Sequence, residues 1–429
     1  MATLDFALKN ETGSNTVYAY ITGYAIDRNN ALVLLQADGK TPYYPKSPSQ
    51  TLTALDQDCA IPLGPPGSTK TISIPHMAGG RLWFVCDGKL TFYVNPGPAL
   101  VEPSSSNPSD PNYNLYWDFC EFTWNSFQLY ANVTLVDFVS LPIALTLTTT
   151  SGATHSVLGF PSDGLETICS ALQEQNAKDH AGWDRLIISN NGKHLRAVSP
   201  NTGIVLDNTL FKNYYEPYVD KVWEKYSGDS LTVNTQAGAG DLKAKVSGGK
   251  LAFTSEDISY EKPSTADIFS NSSGAFAVSG NGTKDAVTAR LAAAFNRSTL
   301  LIDSEQPNGE TVADYYQDPV TNHYSRICHE VSIDHRGYAF PYDDVAPSNG
   351  QDQSGSVFDS NPKLLTVTLG APGAGSSNAT SQSAPKEETP VAHETHSSPA
   401  PEQPNKNRNK KKKLFAGLKQ VMQRLSQNK

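Results

Sequence analysis

Tyr116-Trp117-Asp118-Phe119-Cys120-Glu121-Phe122-Thr123-Trp124 is a nine-residue run in which five side chains are aromatic. Aromatic density of that kind favours a pleated, half-buried strand. Side chains alternate along an extended backbone, so Trp117, Phe119, Glu121 and Thr123 share one face and Asp118, Cys120 and Phe122 the other. The rings around Glu121 are expected to strip water from its carboxyl, which raises a carboxyl's pKa and keeps it protonated near neutrality. Sixteen residues later stands Asp137, beyond the polar Asn132 and Thr134, where a carboxyl is expected to stay ionised. One protonated and one ionised carboxyl, a hairpin apart, are the acid and the base that cleavage of a glycosidic bond requires. Acids on strands are more often ordinary solvated side chains, so the spacing alone does not decide the matter.

Working outward, residues 4 to about 150 read as strands: Thr16–Ala25, Ala31–Leu35, Thr71–Ile74, Arg81–Val85, Leu90–Val94, Phe127–Val133 and the run from Ala144 to Leu147. Turns rich in Gly, Pro, Asn and Asp separate them at the spacing of a sandwich or barrel. Helical periodicity begins near Ser162, over Asp163–Gln175 and Phe211–Tyr226, with short strands between and after. A third helix is expected over Lys284–Phe295 with Thr283 as N-cap, and a fourth over Asn322–Asp334. Arg336–Tyr342 and Leu364–Leu369 read as strands returning to the first sheet system.

Several ordered motifs resemble glycoside hydrolase family 64, thaumatin-like endo-β-1,3-glucanases with laminaripentaose-producing members. They are Trp117 to Thr123, Leu135-Val136-Asp137-Phe138 with Leu141-Pro142-Ile143, and Gly337 to Asp344. Phe84-Val85-Cys86-Asp87-Gly88 and Ala289 to Thr299 add to them. The likeness runs from about residue 4 to about residue 370. It implies an α+β fold: a thaumatin-like β-sandwich or barrel domain (1–155, completed by strands from 336–370) and a mixed α/β domain (156–335) flanking a wide substrate groove. It further implies endo-hydrolysis of β-1,3-glucan to short laminarioligosaccharides by an inverting mechanism, with Glu121 as general acid and Asp137 as general base. Thr123, Asn125, Tyr130 and Thr134 are similar to the family's sugar-contacting positions, although the family more often has Trp where Tyr130 stands. Asp343 and Asp344 resemble a thaumatin-like signature and are expected as acids lining the cleft. The alternative is a thaumatin-like protein that binds β-1,3-glucan without turning it over.

Composition is consistent with this reading. With 38% hydrophobic and 18% charged residues, the 429-residue chain can bury a large core. The net charge is −9, and the nine Lys and Arg of residues 406–429, unaccompanied by acids, leave the rest more acidic still. Such a body disfavours nucleic acid as a partner and is indifferent to a neutral polysaccharide. Five scattered cysteines contain no C-x-x-C pair, so neither a zinc ribbon nor a redox motif is expected, and at least one thiol stays free. No histidine spacing suggests a metal, no cofactor is implied, and no G-x-S-x-G elbow marks a serine hydrolase. Gly280 and Gly282 form only a fragment of a phosphate loop.

Met1-Ala2-Thr3-Leu4-Asp5-Phe6 lacks the basic and apolar regions of a secretory signal, and no run is long and apolar enough to span a membrane. The expectation is a monomer that meets its glucan inside the cell, is exported unconventionally, or starts upstream of this methionine. Six N-x-S/T sequons are present, and a glycan on Asn132 would crowd the proposed cleft. Residues 371–405 read as a disordered linker of Ser, Thr, Pro, Gly, Ala and Glu. Residues 406–429 form a basic amphipathic tail, whose segment 410–425 suits an anionic membrane surface or a partner groove, or is simply solvated.

Overall fold

The computed structural model describes residues 2–254, 257–348, 350 and 353–370. The expected linker and basic tail lie outside the described residues. The rest is a mixed α and β protein with more strands than helices.

Two sheets share one core. The five-stranded sheet runs Thr154–Val157, Ile143–Thr149, Pro362–Leu369, Thr3–Asn10, Thr69–Pro75. Its strand from the far end of the sequence lies parallel to Thr3–Asn10 and antiparallel to Ile143–Thr149. The eight-stranded sheet runs Ser356–Asp359, Leu129–Asn132, Tyr116–Trp124, Met77–Cys86, Val17–Ala25, Ala31–Leu35, Pro42–Tyr43, with Ile61–Pro62 also on Val17–Ala25. The sheets meet through the face bearing Phe122, whose ring packs edge-on against Phe6 at 5.1 Å. Phe122 fits because its cross-strand partner is Gly80, where a Cβ would lie 2.5 Å from the ring.

The opposite face of Tyr116–Trp124 is paved with rings as its alternation predicts. Trp83 and Phe119 stand 4.7 Å apart, and Trp117 meets Phe138 at 4.9 Å. Burying such rings contributes roughly 2–3 kcal/mol each before entropy is counted. This stack is the floor beneath Glu121.

From Gly164 to Val331 the chain adds six α-helices. It also forms a five-stranded sheet (Ser259–Tyr260, Lys250–Phe253, Asp241–Ser247, Leu231–Asn234, Glu305–Gln306) and a three-stranded one (Phe138–Val139, Lys193–Val198, Ile187–Asn190). Helix starts differ from the sequence reading for local reasons. The helix expected from Phe211 spans Glu216–Gly228, because Phe211 and Asn213 sit in the left-handed region at φ 57° and 59° and Pro217 occupies the first turn. Asn281, not Thr283, caps Gly282–Arg297: its side chain accepts from the Thr283 and Lys284 amides. Arg336–Tyr342 forms no strand, only a parallel bridge between Thr134 and Tyr338. All five cysteines are buried and free. No described helix is long and apolar enough to cross a membrane.

Candidate active site

Strand register decides what surrounds Glu121. Its cross-strand neighbours are Arg81 on one side and Asn132 on the other. Directly opposed residues project to the same face, so all three stand together above the ring stack. Arg81 donates from Nε to Glu121 Oε1 at 3.2 Å and from Nη1 to Glu102 Oε2 at 2.5 Å. Its guanidinium lies 4.9 Å over the Phe119 ring, which holds it in place. The three charged side chains are largely but not wholly covered, at 14% exposure for Arg81, 22% for Glu102 and 20% for Glu121.

Asp137 enters from the loop ahead of Phe138–Val139. That loop is pinned on both sides. The Leu135 amide donates to the Tyr338 carbonyl at 2.8 Å, the Tyr324 hydroxyl to the Leu135 carbonyl at 2.8 Å, and the Ser199 amide to the Asp137 carbonyl at 2.9 Å. The half-buried Asp137 places its charge near both Arg81 and Glu121. Burial, joined by the charges of Asp137 and Glu102, outweighs Arg81 and raises the Glu121 carboxyl above the usual glutamate range. A shift in that direction favours the protonated form, the one a general acid needs.

The other expected residues divide. Thr123 and Tyr130 are a cross-strand pair on the face of Glu121. Thr134 lies in the pinned loop, bridged to Tyr338. Asn125 sits in the hairpin turn, its Oδ1 accepting from the Phe127 and Gln128 amides at 2.8 and 3.0 Å. Asp344 is half-buried against the Tyr338 phenol. Asp343 has no exposed side-chain surface. It is bound to Arg297 at 3.0 Å, His329 at 2.9 Å and the Ala339 amide at 2.9 Å. Asp118 is likewise buried on the opposite face, accepting from the Phe119, Ser140 and Leu141 amides.

Arg81 and Glu102 beside Glu121, and Phe358 further along the same face, carried no local signal. Only strand register brings them in. Asn132 Oδ1 and Thr123 Oγ1 have no hydrogen-bond partner among the described residues. Phe358, 54% exposed, is the cross-strand partner of Tyr130, with the two rings 19° from parallel and 6.3 Å apart. An acid, a second carboxylate and flat apolar rings on one face suit a carbohydrate, whose hydroxyls and ring faces need both kinds of contact. Among the described residues no cluster of three or more His, Cys, Asp or Glu is arranged to hold a metal.

A family model described as Beta-1,3-glucanase, glycoside hydrolase family 64, matches residues 2–369. The chain belongs to this family. Two curated relatives, glucan endo-1,3-β-glucosidases from Cellulosimicrobium cellulans and from Arthrobacter sp. (strain YCWD3), are each 27% identical over 375 residues. The match covers 86% of this chain and 65% of each relative, so the chain spans about two thirds of their length. A solved laminaripentaose-producing β-1,3-glucanase in complex with laminaritetraose superimposes with a TM-score of 0.77 at 30% identity, over 86% of this chain and 99% of that one. A β-1,3-glucanase domain from Clostridium beijerinckii shares the fold, with a TM-score of 0.68 at 22% identity, over 86% and 98% of the two chains.

Proposed function

We propose that the chain hydrolyses internal bonds of β-1,3-glucan and releases short laminarioligosaccharides. Glu121 protonates the leaving glycosidic oxygen while Asp137 takes a proton from the attacking water, with inversion at the anomeric carbon. Inversion needs room for that water, and the two carboxyls of an inverting pair stand roughly 6.5–9.5 Å apart. The observation that carries the reading is the raised proton affinity of Glu121 beside a second carboxylate, on a family member's face lined with rings and hydroxyls.

In this reading the two sheets are a thaumatin-like sandwich over 1–155 and 336–370, the segment 156–335 is the second wall, and the glucan lies in the groove between them. Thr123, Thr134, Asn125 and Asp344 contact sugar hydroxyls, and Tyr130 stacks on a pyranose face. Asp343 acts one layer back by holding the loop that presents Asp344.

Purified protein incubated with laminarin and with curdlan, its products resolved by chromatography, tests the proposal. Discrete short oligosaccharides are expected. Retained binding to insoluble curdlan without products would favour a non-catalytic glucan-binding protein instead.

A further inference from the structure

A general acid held by an arginine poses a problem. An arginine within hydrogen-bonding reach ordinarily lowers a carboxyl's pKa by one to three units and removes the proton the reaction needs. Arg81 donates to Glu121, and yet the acid must arrive protonated.

Burial and the charge of Asp137 oppose Arg81, and the second partner of Arg81 eases the conflict further. Glu102 reaches in just beyond the short strand Ala99–Val101 and accepts from Arg81 Nη1 at 2.5 Å, against 3.2 Å for the contact to Glu121. The guanidinium thus makes its shorter contact to Glu102, and part of the charge it would impose on Glu121 is offset there. What remains at Glu121 is one directional N–H bond to Oε1, which leaves Oε2 to carry the proton. The groups acting on Glu121 are Arg81 on the neighbouring strand, Glu102 behind it, Asp137 from the opposite loop and the buried Cys120 thiol on its own strand. Asn132, on its other side, is neutral. Arg81 itself also faces the Tyr24 phenol.

We propose that Glu102 is a positioning residue for the acid: by claiming the Arg81 guanidinium, it lets Arg81 aim Glu121 without taking its proton. The assignment rests on Glu121 being the general acid. It concerns a residue whose hydrogen bond in this arrangement is to Arg81, with its charge reaching Glu121 from behind that arginine.

The test is the pH profile of kcat/KM on soluble laminarin for the wild type, Glu102→Gln and Glu102→Asp, with Glu121→Gln measured alongside. Activity falls on the alkaline side as Glu121 loses its proton. In Glu102→Gln the charge of Arg81 is offset less, so this limb moves down by roughly one pH unit. Above the limb the rate drops about tenfold, and acidification recovers it. Glu102→Asp keeps the charge at a longer reach, so its limb moves the same way by less, and this variant carries the test if the glutamine variant fails to fold. A limb at the wild-type position with activity lower at every pH would make Glu102 a structural residue and overturn the inference. So would a limb displaced upward. Glu121→Gln separates the two claims: if it is inactive while the Glu102 limbs stay fixed, the Glu102 assignment alone fails. If Glu121→Gln keeps full activity, the acid reading fails and takes this inference with it.

Discussion

Arg81 and Arg297 each sit between two carboxylates, and the two sites behave in opposite ways. At the first, Arg81 contacts Glu121 once, at 3.2 Å, and gives its shorter contact to Glu102, while Asp137 adds a further negative charge. The balance leaves Glu121 above the ordinary carboxyl range. At the second, Asp343 accepts from Arg297, His329 and the Ala339 amide, with Glu310 3.9 Å from Arg297. There the donors outweigh burial and hold Asp343 below the ordinary range. Burial is common to both. Asp343 is offered more donors than Glu121 and faces a protonatable His329, while Glu121 faces two further carboxylates, so the two shift in opposite directions.

The contrast breaks most sharply at the base. Asp137→Asn should lower turnover on laminarin by roughly 10²–10⁴-fold, the usual contribution of general acid–base groups. Added azide should restore turnover and yield a glycosyl azide of inverted configuration. Rescue giving the retained anomer would place Asp137 in a nucleophilic role.

At the structural site the loss appears as stability. Asp343→Asn leaves Arg297 and His329 buried without their carboxylate, and breaking a buried pair costs about 3–5 kcal/mol, measurable by denaturant unfolding. The pH dependence has two signs. Asp343, lowered in the fold, stabilises above about pH 4, and this is lost as pH falls through its folded value. His329, raised by Asp343, stabilises fully below about pH 6.5, and this is lost as pH rises through its folded value. The variant should flatten both slopes, and slopes like those of the wild type would show that the network does not carry them.

The smallest effect is expected at the rings. Tyr130→Ala should weaken laminarin binding by about 0.5–1.5 kcal/mol, as for loss of one stacking contact. It should raise KM more than it lowers kcat. A fall in kcat alone would move Tyr130 from sugar binding to the support of Glu121.

The strand from Tyr116 to Trp124 was legible because its alternation is local: the period of two places Glu121 among rings before any partner is known. The helix start at Glu216 was not, because the left-handed Phe211 and Asn213 override an apolar period that continues through them. Arg81 and Glu102 were invisible for another reason. They lie 40 and 19 residues from Glu121 in sequence and meet it only once strand pairing is fixed. Asp343 and Asp344 are adjacent and chemically alike, yet one is sealed in the core and the other half-buried against Tyr338. That division depends on where Arg297 and His329 fall, which the doublet itself does not encode.

Whether Glu121 carries the reacting proton is decided by turnover of soluble laminarin by Glu121→Gln beside the wild type. Glutamine keeps the shape and the Arg81 contact but has no acidic proton. A loss of about 10²–10⁴-fold is expected, with the melting transition intact. Turnover within a few-fold of the wild type would contradict it.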